Sequence, residues 1–406
     1  TPVSMTTGDD GLATFNNLAL GAYIVTETQT PAGYTGSRPL IIPVPMTHPT
    51  ELNKWVYDVH AYPKNAKVNV EKEVDDAQTP AVGSPISYTI TADVPDAPVV
   101  DYYNVVDQYD KRVDLPENQI TLRIVEAKDG EVDLVKGDDY TLIPAVGKDG
   151  KTKFWTAEFT EAGRKKMIAQ RKSNDTKIVM SLEGTLKEKI GDEGLVENKA
   201  ILLPGAPANN WKPGSGEVPP PDYPNAKVVS KFGKVTITKT SSVDDTKKLQ
   251  GAEFQVYKCK PATKPANNFE SVDASLDTKL TVDGKDTFVT DDQGKVTIDG
   301  LRNNDWEDNE EVADPGYYCL VETKAPDGFE LQSRPIAFQI LASNSTEANK
   351  YTLETTVKDV PKNGGFNLPL TGAAGVGVLI GAGALLVGGS GAIALANKRR
   401  KEQADA

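Results

Sequence analysis

Along most of the chain apolar and polar residues alternate one by one. Runs such as Lys67-Val68-Asn69-Val70, Ser87-Tyr88-Thr89-Ile90-Thr91, Lys177-Ile178-Val179-Met180 and Lys234-Val235-Thr236-Ile237-Thr238 are rich in β-branched residues and are punctuated by Gly, Pro, Asp and Asn. Period-two alternation gives each run one core face and one wet face. Many short strands with frequent turns predict an all-β chain of tandem Ig-like β-sandwich domains. The pattern breaks near the C-terminus, where residues 373–396 are apolar and carry no charge. At about 1.5 Å per residue that run is long enough to cross a hydrocarbon core of about 30 Å, and a lone span must be a helix to satisfy its own backbone. Helix is otherwise expected to be scarce.

The flanks of that span carry the most specific signal. Leu368-Pro369-Leu370-Thr371-Gly372 precedes it and Lys398-Arg399-Arg400-Lys401 follows it. The basic cluster holds the cytoplasmic side and leaves everything before Leu368 outside. Pentapeptide, transmembrane helix and basic tail together resemble a sortase cell-wall sorting signal, in which the membrane is engaged only before sorting. The glycine series within the span lacks the strand–loop–helix context of a nucleotide site.

The length of 406 residues leaves room for two or three domains. An internal repeat helps divide them. Asp9-Asp10-Gly11, Asn17-Leu18, Gly21, Tyr23-Ile24-Val25-Thr26-Glu27-Thr28 and Gly33-Tyr34 return as Asp291-Asp292-Gln293-Gly294, Gly300-Leu301, Gly316, Tyr318-Cys319-Leu320-Val321-Glu322-Thr323 and Gly328-Phe329. The first copy starts too close to Thr1 for its early strands, so residues 1–65 read as the C-terminal part of a truncated domain of an exported protein. Tyr62-Pro63-Lys64-Asn65-Ala66-Lys67-Val68 is echoed by Tyr223-Pro224-Asn225-Ala226-Lys227-Val228, and a Pro/Gly-rich stretch from 204 to 224 reads as an extended connector. The resulting division is 1–65, a middle domain over 66–227, a last domain over 228–361 and the sorting signal over 362–406.

These residues resemble the sortase-assembled backbone pilins of Gram-positive bacteria, built from tandem Ig-like domains of the collagen-adhesin type. Trp55-Val56-Tyr57-Asp58-Val59-His60-Ala61-Tyr62-Pro63-Lys64 is similar to the pilin motif Trp-x-x-x-Val-x-Val-Tyr-Pro-Lys, departing at Ala61. The segment from Tyr318 to Phe329 resembles the family's E-box. The resemblance implies that Lys64 of one subunit attacks an acyl intermediate formed at Thr371 of another, on a pilin-specific sortase that has cleaved before Gly372. It also implies a housekeeping sortase that joins the finished fibre to peptidoglycan, with accessory pilins and host matrix as further partners. A monomeric wall-anchored adhesin would share the sorting signal and E-box without needing Lys64.

Two lysines break the alternation rule. In Val68-x-Val70-x-Lys72 and Val235-x-Ile237-x-Lys239 each lysine shares the apolar face, so it points into a core where burial favours the neutral amine. Asp107, beside Val105 and Tyr109, and Glu322, beside Tyr318 and Leu320, are placed where burial favours the protonated acid. Such an acid can polarise a carbonyl while an amine attacks it. Asn198 alternates inward with Val196 and Ala200, in a context like the family's bonding strand. Asp359 holds the matching position where Asn is commoner. The resemblance thus implies intramolecular isopeptide bonds from Lys72 to Asn198, promoted by Asp107, and from Lys239 to Asp359, promoted by Glu322. Buried salt bridges at the same positions are the alternative. Such bonds would tie the first strand of each domain to its last and take the tension in a fibre.

Composition excludes much else. A net charge of −13 with few aromatics argues against nucleic acid. His48 and His60 sit in unrelated contexts, so neither a metal nor any other cofactor is expected. No nucleophile or carboxylate pair has enzyme-like spacing. Cys259 and Cys319, on an exported chain, are a candidate disulfide.

Overall fold

The structure is a computed structural model that describes residues 2–207, 209 and 211–362. The pentapeptide at 368–372, the apolar run at 373–396 and the basic tail lie outside the described residues. Strands dominate, and among the described residues there is one α-helix, Glu161–Gln170. Sequence alternation does not announce this helix because it buries little: only Gly163 and Met167 are fully buried, with Ile168 packed partly buried on the core. Its N-terminus is marked by Thr160, whose side chain accepts from the Gly163 N–H.

In the middle of the chain two sheets face each other. One runs Gly130–Asp133, Ile120–Ala127, Lys177–Leu186, Pro85–Asp93, Val70–Asp75 in spatial order. The other runs Tyr140–Val146, Thr152–Phe159, Asn104–Asp110, Leu195–Leu203, Asn225–Ser241. Between them lies a core that includes Tyr88, Ile90, Val105, Phe159, Met180 and Leu202. The alternation is visible along Val70–Asp75, where Val70, Lys72 and Val74 are buried and the residues between them exposed.

Asn225–Ser241 belongs to two sandwiches. Its residues Asn225 to Lys231 pair with Leu195–Leu203, and from Phe232 onward it pairs antiparallel with Lys295–Arg302. Phe232 is packed in the middle core and Val235 in the next. Gly233 sits at the crossing, where the register slips by one residue. A Cβ there would lie 2.8 Å from both Ile340 and Ser345, so the close approach requires glycine. Thr352–Asp359 runs parallel to the second half of the shared strand. The opposing sheet is Glu270–Ser271, Ile336–Phe338, Tyr317–Lys324, Glu253–Pro261, Ala274–Lys279.

The joint between these two sandwiches is polar and dense. Buried Arg302 donates to the Asp76 carboxylate at 3.1 Å and to Glu307 at 2.7 Å, while the Asp308 carboxylate accepts from the Asp76 N–H at 2.9 Å. Trp306 donates from its indole to Val229 O at 2.6 Å, and the Lys231 ammonium lies 3.2 Å from its ring centroid.

Residues 204–224 are not the extended connector expected from composition. Leu195–Leu203 and Asn225–Ser241 are antiparallel neighbours, so the segment is a long hairpin loop. It folds back on the sheet: Trp211 and Tyr223 are buried against Val106, Phe154, Ile201 and Leu203, and the Trp211 indole donates to Glu217 O at 2.8 Å. Proline and glycine content alone cannot distinguish a spacer from a loop anchored by two aromatic residues.

In the N-terminal segment Gly21–Val25 pairs with Leu40–Val44, and Tyr34–Thr35 pairs with Ala66–Lys67. Ala32 packs on the apolar cluster beneath the hairpin loop. The alternation from Trp55 to Tyr62 suggests a strand, but only Trp55–Val56 forms one, paired with Met46–Thr47.

Candidate functional site

Three adjacent positions of the middle sandwich meet at its centre. Lys72 reaches in from Val70–Asp75, and Asp107 and Asn198 come from neighbouring strands of the facing sheet, where Asp107 is paired with Ala200 and Asn198 with Tyr109. Asp107 and Asn198 are therefore diagonal neighbours on one face. The Lys72 ammonium donates to Asp107 Oδ1 at 2.7 Å, and both side chains are wholly buried. Burial lowers the Lys72 pKa below its ordinary value, against the opposing pull of Asp107. Burial likewise raises the pKa of Asp107, against Lys72. The Asn198 side chain lies beside the Asp107 carboxyl and the Tyr88 hydroxyl. Yet among the described residues neither polar atom of its amide is hydrogen-bonded, nor is Asp107 Oδ2 or the Tyr88 hydroxyl.

Such a cluster of orphaned polar atoms is costly, at about 1–3 kcal/mol for each unmade bond. It leaves the Asn198 amide unpaired beside the Asp107 carboxyl. Arg112 fixes the entry of the Asn198 strand, donating to Leu195 O at 2.5 Å and Glu193 O at 2.8 Å while paired with Asp110.

The last sandwich repeats the theme with three ionisable groups. Lys239 is fully buried, 2.8 Å from Glu322 Oε1, and donates to Asp359 Oδ1. Lys239 and Asp359 sit on the first and last strands, which here are parallel neighbours, with Lys239 opposite Val357 and Ser241 opposite Asp359. Glu322 comes from the facing sheet, and its Oε2 accepts from Gln332 N–H at 2.7 Å. Burial pushes the Glu322 carboxyl up to about 7, despite Lys239, and raises Asp359 as well. One lysine cannot neutralise two buried carboxylates, so one acid retains its proton near neutrality.

Two residues of these clusters have no individual sequence signal. The Tyr88 ring lies 5.1 Å from the Lys72 ammonium and the Phe254 ring 5.5 Å from that of Lys239. Both are aromatic residues on a core face, the ordinary place for them. Only their register gives them away: Tyr88 is opposite Val74 beside Lys72, and Phe254 is opposite Glu322.

Cys259 and Cys319 are joined by a disulfide between neighbouring strands, with Cα atoms 5.8 Å apart. Alternation directs Cys319 away from Glu322. On that other face it is buried in a small cluster with Val272 and Ala337.

The pilin-motif positions lie apart from both clusters. Trp55 and Tyr62 are 62% and 78% exposed, and Val59 is half-buried. Pro63 and Lys64 are exposed in a segment without strand pairing, just before Ala66–Lys67. Lys64 makes no hydrogen bond or ion pair among the described residues.

The chain is thus a multidomain all-β protein in which two tandem sandwiches each bury a lysine at the centre, beside one carboxyl in the middle sandwich and two in the last. Family models match at both ends: the Gram-positive pilin subunit D1, N-terminal domain, over residues 2–66, and the SpaA prealbumin-like fold domain over residues 233–355. A fimbrial subunit type 1 of Actinomyces viscosus is 41% identical, over 98% of this chain and 76% of that protein. The structure of the fimbrial protein FimP of Actinomyces oris is 37% identical with TM-score 0.64, covering 85% of this chain and 79% of that one. The full-length major pilin SpaD of Corynebacterium diphtheriae is 30% identical with TM-score 0.62, covering 88% and 84%. The chain belongs to the Gram-positive pilins, and is a structural subunit of a cell-surface fimbria.

Proposed function

We propose that this subunit forms the shaft of a covalent fimbria in which the Lys64 amine captures the Thr371 acyl group of the next copy. A pilus-building sortase supplies the acyl group as a thioester, and the pilin is its substrate. A housekeeping sortase then transfers the polymer to peptidoglycan. The reading is supported by Lys64, exposed and without a hydrogen bond or ion pair among the described residues, at the end of a motif that closes the N-terminal segment and precedes the middle sandwich.

The same reading assigns the buried clusters to intramolecular cross-links. The proton moves from Lys72 to Asp107 across their 2.7 Å hydrogen bond, a transfer favoured by burial on both sides. The neutral Lys72 Nζ attacks Asn198 Cγ, the acid polarises the amide oxygen, and ammonia leaves with the returned proton. In the last sandwich Lys239 Nζ attacks Asp359 Cγ with Glu322 as the acid, and water leaves. Each step forms one amide C–N bond, and the subunit undergoes it once without turnover.

The polymer is tested with Lys64→Ala and the cognate sortase. The expected result is loss of the high-mass ladder on denaturing gels while cleavage of the sorting signal continues. An undiminished ladder would reject Lys64 as acceptor.

A further inference from the structure

We propose that Glu27 is a positioning residue for the Lys64 amine, acting through Asn65; the inference rests on Lys64 being the acceptor. The Asn65 Nδ2–H donates to Glu27 Oε1 at 2.8 Å. The second Glu27 oxygen has a longer contact, 3.4 Å from the Ser37 N–H. Asn65 Oδ1 is buried and has no partner among the described residues, so the bond to Glu27 orients this amide. Beyond Asn65 the chain is anchored: Ala66–Lys67 pairs with Tyr34–Thr35, and Val68 N–H donates to Gly33 O at 3.0 Å. Before Asn65, residues 57–64 belong to no strand. The nucleophile thus sits in a segment without strand pairing, one position ahead of the first anchored side chain.

This placement has a kinetic meaning. To reach a thioester held in another protein, an amine must be presented on a fixed base, because freedom removed beforehand is not lost in the transition state. The Glu27–Asn65 bond fixes that base. Without it the first fixed point retreats to the Ala66–Lys67 ladder, and Lys64 gains another freely rotating residue. Glu27 stands just after Gly21–Val25, at the repeat position of Glu322, but here its hydrogen-bond partner is an asparagine beside the motif lysine.

The test uses the full chain with Glu27→Ala, Glu27→Gln and Lys64→Ala, and a purified pilus-building sortase. Two rates are read: ladder formation, and release of the sorting signal to hydroxylamine, which bypasses the protein amine. Glu27→Ala is expected to slow the ladder on the order of tenfold, with hydroxylamine release and thermal unfolding unchanged. Glu27→Gln keeps an acceptor oxygen for Asn65 and is expected to restore the ladder rate. A normal ladder rate in Glu27→Ala, with Lys64→Ala inactive, overturns the role of Glu27 and leaves Lys64 as acceptor. A parallel fall in hydroxylamine release or melting temperature, or no rescue by Gln, also overturns it. A ladder that persists in Lys64→Ala removes the premise itself.

Discussion

Replacing Glu322 by Gln is expected to abolish the loss of one water from the mass calculated for the variant's own sequence and to lower the unfolding temperature of the last sandwich by on the order of 15–25 °C. Gln keeps the shape of the side chain and an oxygen for the Gln332 N–H, but it cannot hand a proton to a leaving group. Lys239 and Asp359, separated by 120 residues, then remain an ion pair. Cross-linking a loop of that order restricts the unfolded chain by about 4–5 kcal/mol in the loop-entropy treatment. Mass spectrometry and calorimetry of the same sample check both halves. A variant that still lacks the water would show that Glu322 is dispensable for the bond.

Lys72→Met is expected to be as damaging for a different reason. It removes the proposed cross-link or, where that bond has not closed, the ammonium that pairs with the wholly buried Asp107. Breaking a buried ion pair from one side costs about 3–5 kcal/mol. The loss has a pH signature. The folded-state pKa of Asp107 is raised by burial, so without Lys72 the folded variant binds a proton that its unfolded chain releases. Its stability is therefore greatest below the ordinary aspartate range and declines as pH rises through the raised value. Urea unfolding across acidic to neutral pH reads the slope, and a flat profile would place Asp107 in contact with water or another cation. The wild-type chain is expected to be lighter than its sequence by one ammonia and one water, one from each sandwich, besides the two hydrogens lost in the Cys259–Cys319 disulfide.

Five of the six residues of the two clusters are legible in the sequence because each is a charge or amide on a face that alternation assigns to a core. Lys72, Asp107, Asn198, Lys239 and Glu322 violate the pattern in this way, whereas Asp359 is placed only by the resemblance to the family's bonding strand; the structure buries all six. Tyr88 and Phe254 obey the pattern and so pass unnoticed, although they wall the same lysines. Alternation also gives the all-β class and several strands directly. It misses the helix Glu161–Gln170, which has too small a buried face to leave a period, and it overextends the strand after Trp55. The hairpin loop at 204–224 is misread because its anchors, Trp211 and Tyr223, are long-range contacts that local composition does not encode.

The shared strand Asn225–Ser241 gives the shaft a mechanical character. If the proposed linkage at Lys64 and both cross-links form, a pull entering at Lys64 crosses from Lys72 to Asn198, follows the backbone to Lys239, and leaves through Asp359. Residues 73–197 and 240–358 are bypassed, whereas the hairpin loop at 204–224 remains in series. What keeps that loop slack is the ladder between Leu195–Leu203 and the first half of the shared strand, from Leu195 opposite Lys231 to Ile201 opposite Asn225. This ladder is a fuse. If it opens from Asn198 opposite Val228, residues 199–227 are paid out as a tether of about 100 Å, at roughly 3.4 Å per residue, and the fibre stretches without a covalent bond breaking.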